Sequence, residues 1–249
     1  MMRVRLTLEY DGTRYAGWQR QENALAVQQV VEEALSKLTG ADVSVTGASR
    51  TDAKVHALGQ VAHFDTESRI PPDKYAYALN TMLPPDIRAK ASARAADDFH
   101  ARFSAAGKRY RYWIYAFPHA GALNRLTHAH VIYPLDLSRM RSELPDLVGT
   151  RDFKAFAASG SAVKDTVRTV WCAEITQNGG EFELLVEGNG FLYNMVRIIA
   201  GTLISVGAGK LAPGAFRRAL DTGDRLDLGV TAPAHGLTLM QVFYEGDRL

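Results

Sequence analysis

The chain has 249 residues, 47% of them hydrophobic and 22% charged, which excludes a largely disordered protein and leaves room for one or two domains with a substantial core. Its net charge of +2 and pI of about 8.6 are only mildly basic, so charge alone does not indicate a nucleic-acid partner. A single cysteine, Cys172, excludes an internal disulfide framework and fits a reducing compartment, and the N-terminus lacks the apolar core of a signal peptide, so a cytoplasmic protein is expected.

Residues 3 to 10 alternate, with Val4, Leu6, Leu8 and Tyr10 on one face and Arg3, Arg5, Thr7 and Glu9 on the other, which reads as a half-buried strand. Asp11-Gly12 ends it. A loop carrying Arg14, Tyr15, Trp18 and Arg20 follows, and cations interleaved with aromatics suit phosphate contact and base stacking; a packed surface loop explains them equally well. Val27, Val30, Val31, Ala34, Leu35 and Leu38 keep helical spacing, and Gly40 stands where a helix C-terminal glycine belongs. Val43 to Val45 is short and strand-like.

The stretch GASRTDAKVHALGQVAHF, residues 47 to 64, is the candidate chemical centre. Arg50-Thr51-Asp52-Ala53-Lys54 sets one carboxylate between two cations. These favour its ionised form, suited to a nucleophile or base. The competing reading is an ordinary solvated turn. The alternation from Gln60 to Phe64 predicts a strand just downstream.

Pro71-Pro72-Asp73 starts a second helix with Tyr75, Tyr77, Ala78 and Leu79, broken by Leu83-Pro84-Pro85-Asp86. In the run Lys108 to Tyr115, a strand would place Tyr110, Tyr112 and Ile114 on one face and Arg109, Arg111, Trp113 and Tyr115 on the other. That mixture suits an RNA-stacking surface, although aromatics are also good strand formers. A helix is expected over 136 to 147, ended or distorted by Pro145. Strands are expected over 167 to 176 and 181 to 187, joined at Asn178-Gly179-Gly180. The nearly uncharged segment from Phe191 to Gly209 reads as a buried helix too short to span a membrane. Its one charge, Arg197, calls for a partner if buried, and Asp52 is the candidate. Arg217 and Arg218 mark a last amphipathic helix, and 237 to 244 a last strand. Interspersed helices and hairpin-linked strands make an α+β protein.

Gly207 to Lys210 lacks a phosphate-loop pattern, and His128 and His130 lack a third metal ligand nearby. A nucleoside hydrolase would need a second carboxylate facing Asp52, and Asp11 and Asp86 both sit in turns.

Six segments in order resemble the TruA type of tRNA pseudouridine synthases: YDGTRYAGWQRQ (10 to 21), the stretch 47 to 64, LNTMLPPDI (79 to 87), FHARFSAAGKRYRYWI (99 to 114), GNGFLYNMVRIIAGTL (188 to 203) and APAHGLTL (232 to 239). The resemblance implies that Asp52 is the essential aspartate and that Tyr110 stacks on the target base. It implies that Arg197 pairs with Asp52 and that Arg50 helps hold the flipped nucleotide; Arg14, Arg20, Lys54 and Arg109 are further candidates for RNA contact. It implies two ferredoxin-like halves, 1–105 with the catalytic loop and 106–249 with the tyrosine and the arginine helix. They would share a central mixed, mainly antiparallel sheet with helices on one side and the active-site cleft on the other. It further implies a homodimer acting on uridines 38 to 40 of tRNA without metal or organic cofactor; a non-catalytic RNA-binding protein on the same fold is the alternative. Where the family often has Gly, this chain has Lys54.

Overall fold

A computed structural model describes residues 1–158 and 164–247, and the chain divides into two compact units, 1–106 with 238–249, and 107–237. Within the first, β1 (Met2–Tyr10) carries the predicted alternation, with Val4, Leu6, Leu8 and Tyr10 buried. Helix α1 (Val27–Thr39) buries Val27, Val31, Ala34 and Leu35 and ends at Gly40, whose φ of 72° is the left-handed conformation expected of a C-terminal glycine. A short β2 (Thr46–Gly47) and a long β3 (His56–Thr66) follow, then α2 (Tyr75–Leu79) behind a single 3-10 turn, and β4 (Ile87–Arg94). Strand β1 lies antiparallel between β3 and β4, with Leu6 opposite Ala62 on one side and Ser92 on the other.

Val43 to Val45 is not a strand. Both valines are buried, but their backbone is satisfied by side chains of α1. Ser36 Oγ accepts from the Val43 N–H at 3.0 Å, Glu32 Oε1 accepts from the Val45 N–H at 3.1 Å, and Gln28 Nε2 donates to the Val45 carbonyl at 2.9 Å. Extended, β-branched sequence thus meets a helix instead of a neighbouring strand.

In the second unit, β5 (Gly107–Ala116) pairs parallel with β6 (Ala129–Val131) and antiparallel with β9 (Glu181–Gly188). Helix α3 (Leu137–Leu147) precedes the polar edge strand β7 (Gly149–Asp152), which pairs with β8 (Val167–Asn178), and β8 pairs with β9. The expected hairpin joins β8 to β9, with Gly179 at φ 59°. Pro145 lies in the last turn of α3, where its missing N–H costs one helical bond and the chain leaves the helix at Val148. Helix α4 (Met195–Gly207) is buried almost all round, as its apolar sequence requires, and α5 (Ala215–Thr222) follows. Strand β10 (Leu237–Phe243) belongs from Thr238 on to the first unit, where it pairs parallel with β3, Leu239 opposite Ala57. The architecture is α+β, with a mixed but mainly antiparallel strand pairing.

Helix α5 begins at Gly214 with no side-chain cap of its own. Its N-terminal amides are received instead by Glu143 of α3, 1% exposed, which accepts from the Gly214 and Phe216 N–H groups. Glu143→Ala leaves the buried Phe216 donor and the half-buried Gly214 donor without this acceptor and is expected to lower stability by about 1–3 kcal/mol, while Glu143→Gln, which keeps one acceptor oxygen, loses less; urea unfolding of the two variants checks the order.

Candidate active site

The turn that carries Asp52 is built by its neighbours. β2 contributes two residue pairs to β3, Thr46 with His63 and Gly47 with Ala62, and Ala48 adds one bond to the Val61 carbonyl at 2.7 Å. There the ladder ends, and a side chain continues it. Gln60, fully buried on β3, accepts from the Ser49 N–H at 3.2 Å and donates to the Ser49 carbonyl at 2.7 Å. A primary amide offers the donor and acceptor of a peptide group, so Gln60 serves Ser49 as one more rung.

Two residues on, the Thr51 and Tyr10 hydroxyls share a buried hydrogen bond of 2.7 Å. The loop after β1 closes from the other side. The Trp18 N–H donates to the Thr51 carbonyl at 3.0 Å, and the Lys54 N–H donates to Tyr15 at 3.2 Å. Gly17, at φ 92°, passes so close that a Cβ there would stand 2.4 Å from the Thr51 carbonyl oxygen. Asp52 to Val55 then form a turn closed by the Val55 N–H on the Asp52 carbonyl at 3.1 Å, with Lys54 at φ 66°. This is the third position of a type II turn, where glycine is favoured, which accounts for the Gly expected there by resemblance. Arg50, Ala53 and Lys54 are exposed, and Asp52 is half-buried.

The aromatics of the loop before the turn do not form a stacking surface. Trp18 and Tyr15 are 1% and 4% exposed. Trp18 packs flat over Gly47, where a Cβ would come 2.4 Å from the indole, and lies 6.1 Å from the Tyr10 ring. The Tyr15 O–H donates to Asp86 at 2.8 Å, and its phenol is pushed up to about 12 by burial first and by that bond second. The cations of this loop stay at the surface, each on a carboxylate: Arg14 on Asp86 at 2.6 Å and Arg20 on Glu32 at 3.0 Å. Asp11 caps the turn after β1 by accepting from the Thr13 N–H at 2.9 Å. Asp11 and Asp86 are therefore engaged in holding turns.

In the second unit the RYRY run divides by strand alternation, as predicted. Tyr110, Tyr112 and Ile114 are buried, while Arg109, Arg111, Trp113 and Tyr115 are half-exposed. Tyr110 meets the Phe191 ring edge-on, 5.3 Å between centroids. The Tyr112 O–H donates to the Pro233 carbonyl at 2.7 Å, and burial drives its phenol far above the ordinary range. Arg109, on the opposite face, is ion-paired with Glu187 directly across on β9, and Arg111 lies 3.9 Å from Glu183. Carboxylates thus offset the arginines of this face. Arg197, in the first turn of α4, is half-buried; its Nε donates to the Ala232 carbonyl at 2.9 Å and its Nη1 to Asn194 Oδ1 at 2.6 Å. Asn194 accepts from the left-handed conformation, φ 61°.

Arg50, Asp52 and Lys54 therefore share one turn of the first unit, with Arg14 and Arg20 on the loop that packs behind it, whereas Arg109, Tyr110 and Arg197 belong to the second unit. Among the described residues, no three His, Cys, Asp or Glu side chains gather as a metal set, and no helix is long and apolar enough to cross a membrane.

Sequence comparison matches residues 7–104 and 145–245 to the family described as tRNA pseudouridine synthase. The chain belongs to the tRNA pseudouridine synthase family. It is 52% identical over 245 residues to "tRNA pseudouridine synthase A" of Ruminiclostridium cellulolyticum, covering 98% of this chain and 100% of that one. The protein of the same name from Acetivibrio thermocellus is 48% identical over 98% of this chain and 100% of its own, and that from Bacillus velezensis is 46% identical with the same coverage. The family match includes the Asp52 turn and Arg197 but leaves out 105–144, where Arg109 and Tyr110 stand.

For a family member, the residues most easily overlooked are those that hold the turn: Tyr10, Gly17, Trp18 and Gln60. Each lies inside a segment that resembles the family, yet none bears a charge that would single it out; Gln60 looks like one polar residue of an alternating strand. Lys54 is legible in a different way, since its left-handed conformation costs a residue with a Cβ about 1–2 kcal/mol. Because glycine also gains entropy in the unfolded chain, Lys54→Gly is expected to raise stability by a net of about 0.5–1 kcal/mol, and Lys54→Ala to give no gain; urea midpoints of the two variants decide it.

Proposed function

We propose that this chain isomerises uridine to pseudouridine in the anticodon stem-loop of tRNA, at positions 38 to 40. In this reading Asp52 is the reacting carboxylate and Tyr110 stacks on the target base. Arg197 pairs with Asp52, and Arg50 helps to hold the flipped nucleotide. The reaction breaks the N1–C1′ bond, turns the uracil and joins C5 to C1′. The C5 hydrogen leaves as a proton and N1 is left protonated, so atoms balance and neither oxidant nor reductant is needed.

The observation that carries this reading is the Asp52 turn. A half-exposed carboxylate follows two residues whose positions are fixed by buried hydrogen bonds, and an exposed cation stands on either side of it. Cations favour the ionised form, and a held carboxylate loses little freedom on reaching a reactive geometry. Attack on C1′, attack on C6 and removal of a C2′ proton all use that same ionised group. The target base must leave its helix to reach it, and a buried tyrosine with an edge-on aromatic neighbour is a rigid surface on which a flipped base can stack. The ion pairs on Arg14 and Arg20 do not bar them from phosphate contact, since both side chains stay more than half exposed, at 67% and 53%. The same reading makes the working form a homodimer gripping one tRNA in the cytoplasm, without a metal or organic cofactor.

Asp52→Asn keeps the shape and removes the nucleophile and base. Tritium release from tRNA carrying 5-tritiated uridine is expected to fall at least about a thousandfold, with tRNA binding retained in a mobility-shift assay. Substantial turnover by Asp52→Asn would sink the assignment. Wild-type protein that bound tRNA but left no pseudouridine would establish a pure RNA binder.

A further inference from the structure

We infer that Gln60 and Tyr10 are positioning residues for the Asp52 carboxylate, acting through the backbone and hydroxyl of the residues on either side of Arg50. The inference rests on the assignment of Asp52 as the reacting group.

Three observations converge on it. Gln60 is fully buried, and both ends of its amide are used on one residue, Ser49, which immediately precedes Arg50. Tyr10, 2% exposed, spends its hydroxyl on Thr51, which immediately precedes Asp52. The two also stand on opposite sides of the one irregularity between β1 and β3. Leu8 is opposite Gln60, but Tyr10 is opposite Ala57, so β3 carries an extra residue between the two pairs. Gly59 lies in that bulge, where a Cβ would come 2.4 Å from the Met240 carbonyl. Bulges re-aim side chains beside functional sites, and this one shifts Tyr10 along β3 relative to a regular register.

Filling the core does not by itself call for these two polar side chains. Burying a glutamine or a tyrosine hydroxyl is unfavourable unless each polar atom is paired, and apolar residues of similar size would fill the same space without that need. What apolar residues would not do is fix Ser49 and Thr51. With either bond lost, the turn pivots about its remaining anchors, and a displacement of the carboxylate by about 1 Å is enough to slow a reaction about a hundredfold.

The test uses single-turnover tritium release from 5-tritiated uridine tRNA with the enzyme in saturating excess. There, a partial loss of folded protein leaves the rate constant unchanged so long as the folded enzyme stays in saturating excess, whereas misplacement of the carboxylate lowers it. Gln60→Met, Tyr10→Phe and Thr51→Val are expected to slow the rate constant about ten- to a hundredfold at full amplitude and unchanged tRNA affinity. Thr51→Ser, which keeps the hydroxyl for Tyr10, is expected to stay near the wild-type rate. Wild-type rate constants in the first three variants would overturn the inference, as would a Thr51→Ser variant no faster than Thr51→Val. If Gln60→Met does not fold, Tyr10→Phe and the Thr51 pair decide. An Asp52→Asn variant that retains the wild-type rate would overturn the underlying assignment instead, while a slow Asp52→Asn beside wild-type Gln60→Met and Tyr10→Phe would overturn only the positioning role.

Discussion

Past Gly47 the chain leaves its neighbouring strand, and the buried residues Ala48, Ser49 and Thr51 need backbone partners that no regular ladder supplies. An unpaired buried peptide group costs free energy comparable to a lost hydrogen bond. Each anchor of the turn answers this need: the Val61 carbonyl for Ala48, the Gln60 amide for Ser49, the Trp18 N–H for Thr51 and the Tyr15 carbonyl for Lys54. The loop after β1 must therefore run close alongside, and that closeness admits only glycine at position 17. It also turns Tyr15 and Trp18 inward, as wall and floor of the turn. The same bonds that satisfy this backbone also fix the residues leading into Asp52.

The same device appears elsewhere in the chain. Glu32 and Gln28 serve the backbone of Val45, and Glu143 serves the first amides of α5. In each case a polar side chain on a regular element takes the place of a strand or a local cap. Charge is distributed by a comparable rule on β5, where alternation sends tyrosines into the core and arginines outward, and cross-strand glutamates of β9 offset the arginines.

Much of this was legible beforehand. The period-2 pattern of residues 3 to 10, the helical spacing ending at Gly40, the Asn178-Gly179-Gly180 hairpin and the apolar segment of α4 each encode their structure within a few neighbouring residues. Strands β4 and β7 were not legible, because IRAKASAR and GTRD hold too few apolar residues to show a period; they become strands by pairing with β1 and β8. Val43 to Val45 misled in the opposite sense, since β-branched residues favour an extended chain but do not name its partner.

At the candidate site the division is similar. The residue types around Asp52, the two cations beside it, and the lone charge of the 191 to 209 segment stand in the linear sequence, because each is defined by its immediate neighbours. That β10 pairs with β3, that Lys54 is held in a left-handed turn, and that Gln60 and Tyr10 fasten the residues flanking Arg50 were decided only by the tertiary structure. Those facts depend on bonds between groups distant in sequence, Gln60 with Ser49, Lys54 with Tyr15, Tyr10 with Thr51 and β10 with β3, whose geometry is set by the packing of whole elements and leaves no local pattern to read.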